Sequence, residues 1–224
     1  MCWWSFQSAG TKMREQMRTN SDASGRQTIC GRSLRTRLVR SAAVWFLSLA
    51  SLCRAFGGDG NAAHGLNGQP VDPFLSRPAK ATVFFFVRTD CPISNRYAPE
   101  MKRLQEQFGA KGIAFWLVYP DSDLSADAVR SHAKEYSLPF PVLLDPSHRL
   151  VELCHASVTP EVAVLTPEKK VAYHGRIDDR YTAFGKWRSA ATRRDLEEVL
   201  TAILDGGVIP PNAPAIGCAI LPVK

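Results

Sequence analysis

Apolar and polar positions change period several times along this chain, and each change marks an element. Residues 81–87, Ala81-Thr82-Val83-Phe84-Phe85-Phe86-Val87, form an unbroken apolar run rich in β-branched and aromatic side chains, as expected of a strand covered on both faces. Between residues 95 and 108, Tyr97, Met101, Leu104 and Phe108 recur at spacings of three and four, which predicts an amphipathic helix. A second buried strand is predicted over residues 112–119, and a helix over 125–136 that starts at Asp123 or Ser125 and is stopped by Pro139. Shorter elements follow: a strand at 141–144, a turn or helix at 146–154, and strands at 161–165 and 171–174. The five residues joining the last two strands predict an antiparallel hairpin. Finally, Leu196, Val199, Leu200, Ile203 and Leu204 line one helical face. Thr192 with Asp195 gives that helix a capping-box-like start, and Gly206-Gly207 stop it.

Strand and helix alternating three times, then a hairpin and a closing helix, predict an α/β domain: a central mixed sheet with helices on both faces. The expected division is a targeting region at 1–55, a linker at 56–67, one domain at 68–206 and an extended, Pro-rich tail at 207–224 that carries Cys218.

Charge narrows the partners. The net charge of +7 sits entirely in residues 1–55, which hold nine Lys plus Arg against two acids. Residues 56–224 hold 19 of each sign. A neutral body has no broad positive field for phosphates, so nucleic acid is excluded as an expected partner. Arg32, Arg35, Arg37 and Arg40 precede an apolar run at 42–53, the order of an export signal. That run is shorter than the roughly 20 apolar residues of a spanning helix. The expected location is therefore periplasmic or extracellular, with membrane attachment only through an uncleaved signal. The Arg-rich, acid-poor start gives a mitochondrial address as the alternative.

Candidate chemistry centres on Cys91, which follows the first strand and precedes Pro92 and a helix-like segment. A cysteine at a helix start meets unpaired N–H groups and the positive end of the helix dipole, which favour the thiolate. Open α/β sheets also carry their sites beyond the carboxyl ends of strands. Cleavage of the signal would remove Cys2, Cys30 and Cys53, leaving Cys91, Cys154 and Cys218. An odd count in an oxidising compartment points to a free or cycling thiol rather than a purely structural disulfide framework.

The stretches Thr89-Asp90-Cys91-Pro92-Ile93-Ser94-Asn95, Thr159-Pro160-Glu161 and Gly175-Arg176-Ile177-Asp178-Asp179 resemble the thioredoxin-like fold. Within it they resemble the redoxin and thiol-specific antioxidant branch related to peroxiredoxins, over roughly residues 68–206. The resemblance implies a three-layer fold with Cys91 as nucleophile and Pro160 in a cis peptide packed against it. On the residues themselves, Arg176 or Arg180 can place a guanidinium near the thiolate. An oxidised Cys91 can be resolved by Cys218, which resembles the C-terminal resolving cysteine of some peroxiredoxins, or by Cys154, which reads more readily as core.

Two departures shape the expected activity. Ser94 stands where thioredoxins carry the second cysteine of Cys-x-x-Cys, and Phe84 and Arg88 stand where peroxiredoxins carry Pro and Thr. The expected function is a thiol-dependent oxidoreductase of peroxiredoxin-like or disulfide-exchange type, working through Cys91, Cys218, Pro160 and Arg176 with no cofactor and no metal. Its partners are a thiol reductant or a disulfide-bearing protein, with peroxide as a further substrate. Two alternatives stand beside it. One is a copper-binding protein similar to the Sco type, with His155 or His174 assisting Cys91, although Asn95 replaces the second cysteine of that pattern. The other is a redox-inactive binding module on the same fold.

Overall fold

The computed structural model describes residues 63–75 and 78–223. The expected targeting region, residues 56–62 of the expected linker, and Cys2, Cys30 and Cys53 lie outside the described residues. In chain order the elements are β1 (Ala81–Phe86), α1 (Pro92–Phe108), β2 (Ile113–Tyr119), α2 (Ala126–Glu135), β3 (Val142–Leu144), α3 (Arg149–Cys154), β4 (Val158–Thr159), β5 (Glu161–Leu165), β6 (Val171–Gly175), β7 (Tyr181–Ala183), β8 (Lys186–Trp187), α4 (Asp195–Asp205) and β9 (Cys218–Ala219).

Five strands form the central sheet in the order β3-β2-β1-β5-β6. The pairs β1–β2 and β2–β3 are parallel, while β1–β5 and β5–β6 are antiparallel, so the sheet is mixed and the predicted hairpin is present. All six residues of β1 are buried, which is why its sequence reads as one apolar run. Successive side chains still point to opposite faces. Val83 and Phe85 pack with α1, α2 and α4, whereas Phe84 and Phe86 pack with α3 and the lead-in residues Val71 and Phe74. Burying each phenylalanine contributes roughly 1.5–3 kcal/mol. The result is a three-layer α/β fold with helices on both faces of the sheet.

Local chemistry sets the helix ends. Helix α1 starts three residues before the apolar pattern does, because Cys91 takes an extended conformation (φ −87°, ψ 108°) as N-cap and Pro92 fills the first turn, where a missing N–H costs nothing. Ser125 caps α2 by accepting from Ala128 N–H at 3.2 Å. The expected capping box of α4 does not form. Arg194 is the N-cap, and Thr192 turns away to donate both its N–H and its hydroxyl to the buried Asp179. At the other end Gly206, at φ 67°, stops α4 as predicted.

The tail also departs from expectation: it is extended but docked along its length. Asn212 Oδ1 accepts from His174 N–H at 3.0 Å, Ala213 O accepts from Arg176 N–H at 2.9 Å, and Ile220 N–H donates to Ser157 O at 2.9 Å. Its β9 pairs antiparallel with β4, Thr159 opposite Cys218. Such a strand is hard to see in sequence, because its partners are backbone groups and its apolar content is small. Among the described residues no helix is long and apolar enough to cross a membrane.

Candidate active site

Cys91 stands past the carboxyl end of β1 as the N-cap of α1 and has no exposed surface. Its thiol donates to Thr159 O at 3.0 Å, and the Thr159–Pro160 peptide bond is cis. The loop beside the sulfur is therefore the one carrying Pro160, as the resemblance implied. Glu161, itself buried, secures that loop by accepting from Ser157 N–H at 2.7 Å and Val158 N–H at 3.2 Å.

The pairing of β4 with β9 brings the Cys218 side chain to Cys91, and the two sulfur groups shift in opposite directions. Burial disfavours the Cys91 thiolate, but the neighbouring polar groups of Cys218, Ser94 and Thr159 favour it and hold the thiol below its ordinary value. The bond to Thr159 O favours the protonated form, since a carbonyl only accepts. The Ser94 hydroxyl is buried and has no hydrogen-bond partner. Cys218 is pushed up to about 11, by burial first and then by its bond to Cys91 and the charge there. Of the two thiols, Cys91 is thus the stronger acid and Cys218 the weaker.

Behind the cysteine runs a chain of polar contacts absent from the sequence expectations. Tyr119 Oη lies 2.8 Å from His132 Nδ1, His132 Nε2 lies 2.8 Å from Asn95 Oδ1, and Asn95 Nδ2 donates to Thr89 O at 3.2 Å. Burial keeps His132 below its ordinary value despite Glu135 nearby, so the neutral ring accepts from Tyr119 and donates to Asn95. This chain pins the turn that delivers Cys91. Arg88 is the arginine near the site: it bonds Asp90 and Asp121, each at 3.1 Å, contacts Ala219 O at 3.4 Å and acts on Cys218 through its charge. Its place inside the stretch Arg88-Thr89-Asp90-Cys91 was the available signal.

Arg176 is a correction. Its guanidinium makes a two-pronged bond to Asp195 at the start of α4, at 2.7 and 3.2 Å, and it is not among the groups that shift Cys91 most. Arg180 is likewise engaged with Asp178 at 3.3 Å. The two histidines are also elsewhere. His174 sits opposite Ala163, which packs on the Cys154 side of the sheet, and the His155 ring lies 6.1 Å from that of His174. Cys91 belongs to the opposite face, so neither histidine converges on it. Cys154 is fully buried, and burial with the charges of Asp145 and Glu161 pushes its thiol up to about 12. A cavity of about 670 Å³ lined by Ala79, Gly112 and Phe115 opens at the amino ends of β1 and β2, away from Cys91.

A mixed five-stranded sheet, a cysteine capping the first helix and a cis proline loop against its sulfur define the thioredoxin-like class. Within that class, residues 66–174 match the model of the AhpC/TSA family. Among solved structures, an uncharacterized conserved protein from Geobacillus kaustophilus is similar at 24% identity and a TM-score of 0.60, covering 71% of this chain and 86% of its own. A hypothetical protein from Sinorhizobium meliloti 1021 is similar at 22% identity and a TM-score of 0.61, covering 71% and 91%. A Chlorobium tepidum protein assigned as a thiol:disulfide interchange protein DsbE is similar at 20% identity and a TM-score of 0.50, covering 64% and 92%. At these identities the likeness is one of fold. No curated protein is similar to the chain.

Proposed function

We propose that the protein is a thiol–disulfide oxidoreductase in which Cys91 is the nucleophile and Cys218 the resolving thiol. The observation that carries this is the pairing of the two sulfur groups across Thr159 with opposed proton affinities. The Cys91 thiolate attacks one sulfur of a partner disulfide, forming a mixed disulfide while the other partner sulfur leaves as a thiolate and takes a proton. Cys218 loses its proton to that leaving group or to water and attacks Cys91 Sγ, expelling the second partner thiol. The partner disulfide is reduced by two electrons, and Cys91–Cys218 becomes a disulfide. A dithiol donor restores the pair by the same exchange in reverse. Peroxide is the second substrate considered. There Cys91 attacks oxygen, and the sulfenic acid condenses with Cys218, releasing water. Arg88, held by Asp90 and Asp121 where peroxidatic sites carry Thr, favours the disulfide.

The test is turnover of a model protein disulfide by the full chain with a dithiol donor. Cys91→Ser is expected to be inactive, and Cys218→Ser to accumulate a mixed disulfide on Cys91 visible by mass spectrometry. Full turnover in Cys91→Ser overturns the proposal. Export is part of the same proposal and rests on residues 32–53; a reporter fused after residue 60 that stays in the cytosol contradicts it.

A further inference from the structure

The chain's own carboxyl end is part of the polypeptide packed over Cys91, with Cys218 beside the sulfur. Residues 213–220 cross two other backbones so closely that no side chain fits between them. A Cβ on Gly175, whose φ is +145°, would lie 2.0 Å from Ala213 O, and a Cβ on Gly217 would lie 2.2 Å from Thr159 O. Between those crossings Ile216 packs against the edge of the core, and β9 takes up Val158 and Thr159 of β4. Yet no residue from 208 to 223 is buried. The segment is held by backbone hydrogen bonds and partial apolar contact, which are the features of a unit that opens below the cost of global unfolding. Cys91 has no exposed surface beneath it, so nothing reaches the sulfur while the segment is seated.

We infer that residues 213–220 are a self-inhibitory strap that occupies the docking strand of Cys91's partners. A partner replaces it in the same register, as an extended segment with glycine immediately before its reacting cysteine. This rests on the proposed role of Cys91 and adds its gating and the shape of its substrate. The strap presents Gly217-Cys218 to the Thr159 backbone. A bulkier residue before the cysteine meets the Thr159 carbonyl, a backbone atom that cannot rotate aside. In the cycle the strap opens to admit the partner, and it reseats as the partner strand peels away from Thr159, bringing Cys218 onto the mixed disulfide.

The experiment measures alkylation of each cysteine by iodoacetamide in the reduced full chain, read by peptide mass spectrometry. Cys154, buried on the other face of the sheet, serves as the internal reporter of global unfolding. In the wild type, Cys91 alkylation is expected to be nearly flat in sub-denaturing urea while Cys154 alkylation climbs, because local opening exposes little surface. Parallel slopes overturn the proposal. Gly217→Val, and a chain stopped after residue 207, are expected to speed Cys91 alkylation about tenfold or more with Cys154 unchanged. Should the shortened chain expose Cys154, Gly217→Val decides alone, and a wild-type rate there overturns the proposal. A synthetic peptide of residues 213–222 carrying Cys218→Ser is expected to return the shortened protein to the slow rate. The same peptide with Gly217→Val is expected to fail, and equal protection by both removes the glycine requirement. These rates are independent of turnover: fast Cys91 alkylation without disulfide reduction defeats the proposed function and leaves the strap standing.

Discussion

Cys91 and Cys154 are both buried without exposed surface, and they lie on opposite faces of one sheet. One is held below the ordinary thiol value and the other is pushed up to about 12. Burial acts on both in the same direction, raising them. The difference comes from what faces the sulfur. Cys91 caps the start of α1, where Ser94 and Cys218 favour its thiolate, while Cys154 ends α3, with Asp145 and Glu161 adding repulsion. A helix start offers free N–H groups and a helix end offers carbonyls. Burial alone therefore says nothing of reactivity, and the donor set decides it.

Breaking the comparison at Cys91 has the largest expected effect. Cys91→Ser should lower disulfide turnover more than about a hundredfold, as removal of a nucleophile does, while steady-state assay of Cys154→Ala should give wild-type turnover. Next comes Cys218→Ser, which removes the resolving thiol and a donor to Cys91. Multiple-turnover kinetics should fall about tenfold, with the remainder rescued by excess small thiol. Smaller again is the effect of Cys154→Ala on stability, a loss of roughly 1 kcal/mol in urea unfolding from a partly emptied core site. Unfolding across pH sharpens the contrast in sign. A thiol lowered by folding contributes stability that is present above the unfolded value of about 8.5 and is lost as pH falls through the folded value. Wild type should therefore gain on Cys91→Ser as pH rises from neutral toward about 8.5. Cys154, raised by folding, contributes below about 8.5 and is lost as pH climbs toward about 12, so Cys154→Ala should soften the alkaline loss of stability.

What the sequence made legible follows from how local each signal is. The runs at 81–87 and 112–119 became β1 and β2 because strands buried on both faces need no partner to be recognised. The Cys91-Pro92 junction was legible for the same reason, since extended cap and N1 proline are local chemistry. Thr192 misled because Asp179, 13 residues away, outcompeted the local cap. Arg176 misled similarly: its partner Asp195 lies 19 residues on, and no short-range pattern distinguishes a pair with α4 from a pair with the thiolate. The strap was hidden because Pro- and Gly-rich segments read as tails. Gly175 and Gly217, each required by a backbone crossing, were its only local trace, and a single sequence does not reveal what a glycine makes room for.

The central claim is that the Cys91 thiol is held below the ordinary value while that of Cys154 is raised above it. The most direct measurement is the thiolate ultraviolet absorbance of the fully reduced protein across pH, comparing wild type with Cys91→Ser and Cys154→Ala, because it reads the closed molecule without needing reagent to enter. The account predicts that one thiolate, lost in Cys91→Ser alone, titrates below the ordinary value of about 8.5. A Cys91 signal that titrates at or above that value, or an early signal that survives Cys91→Ser, contradicts it.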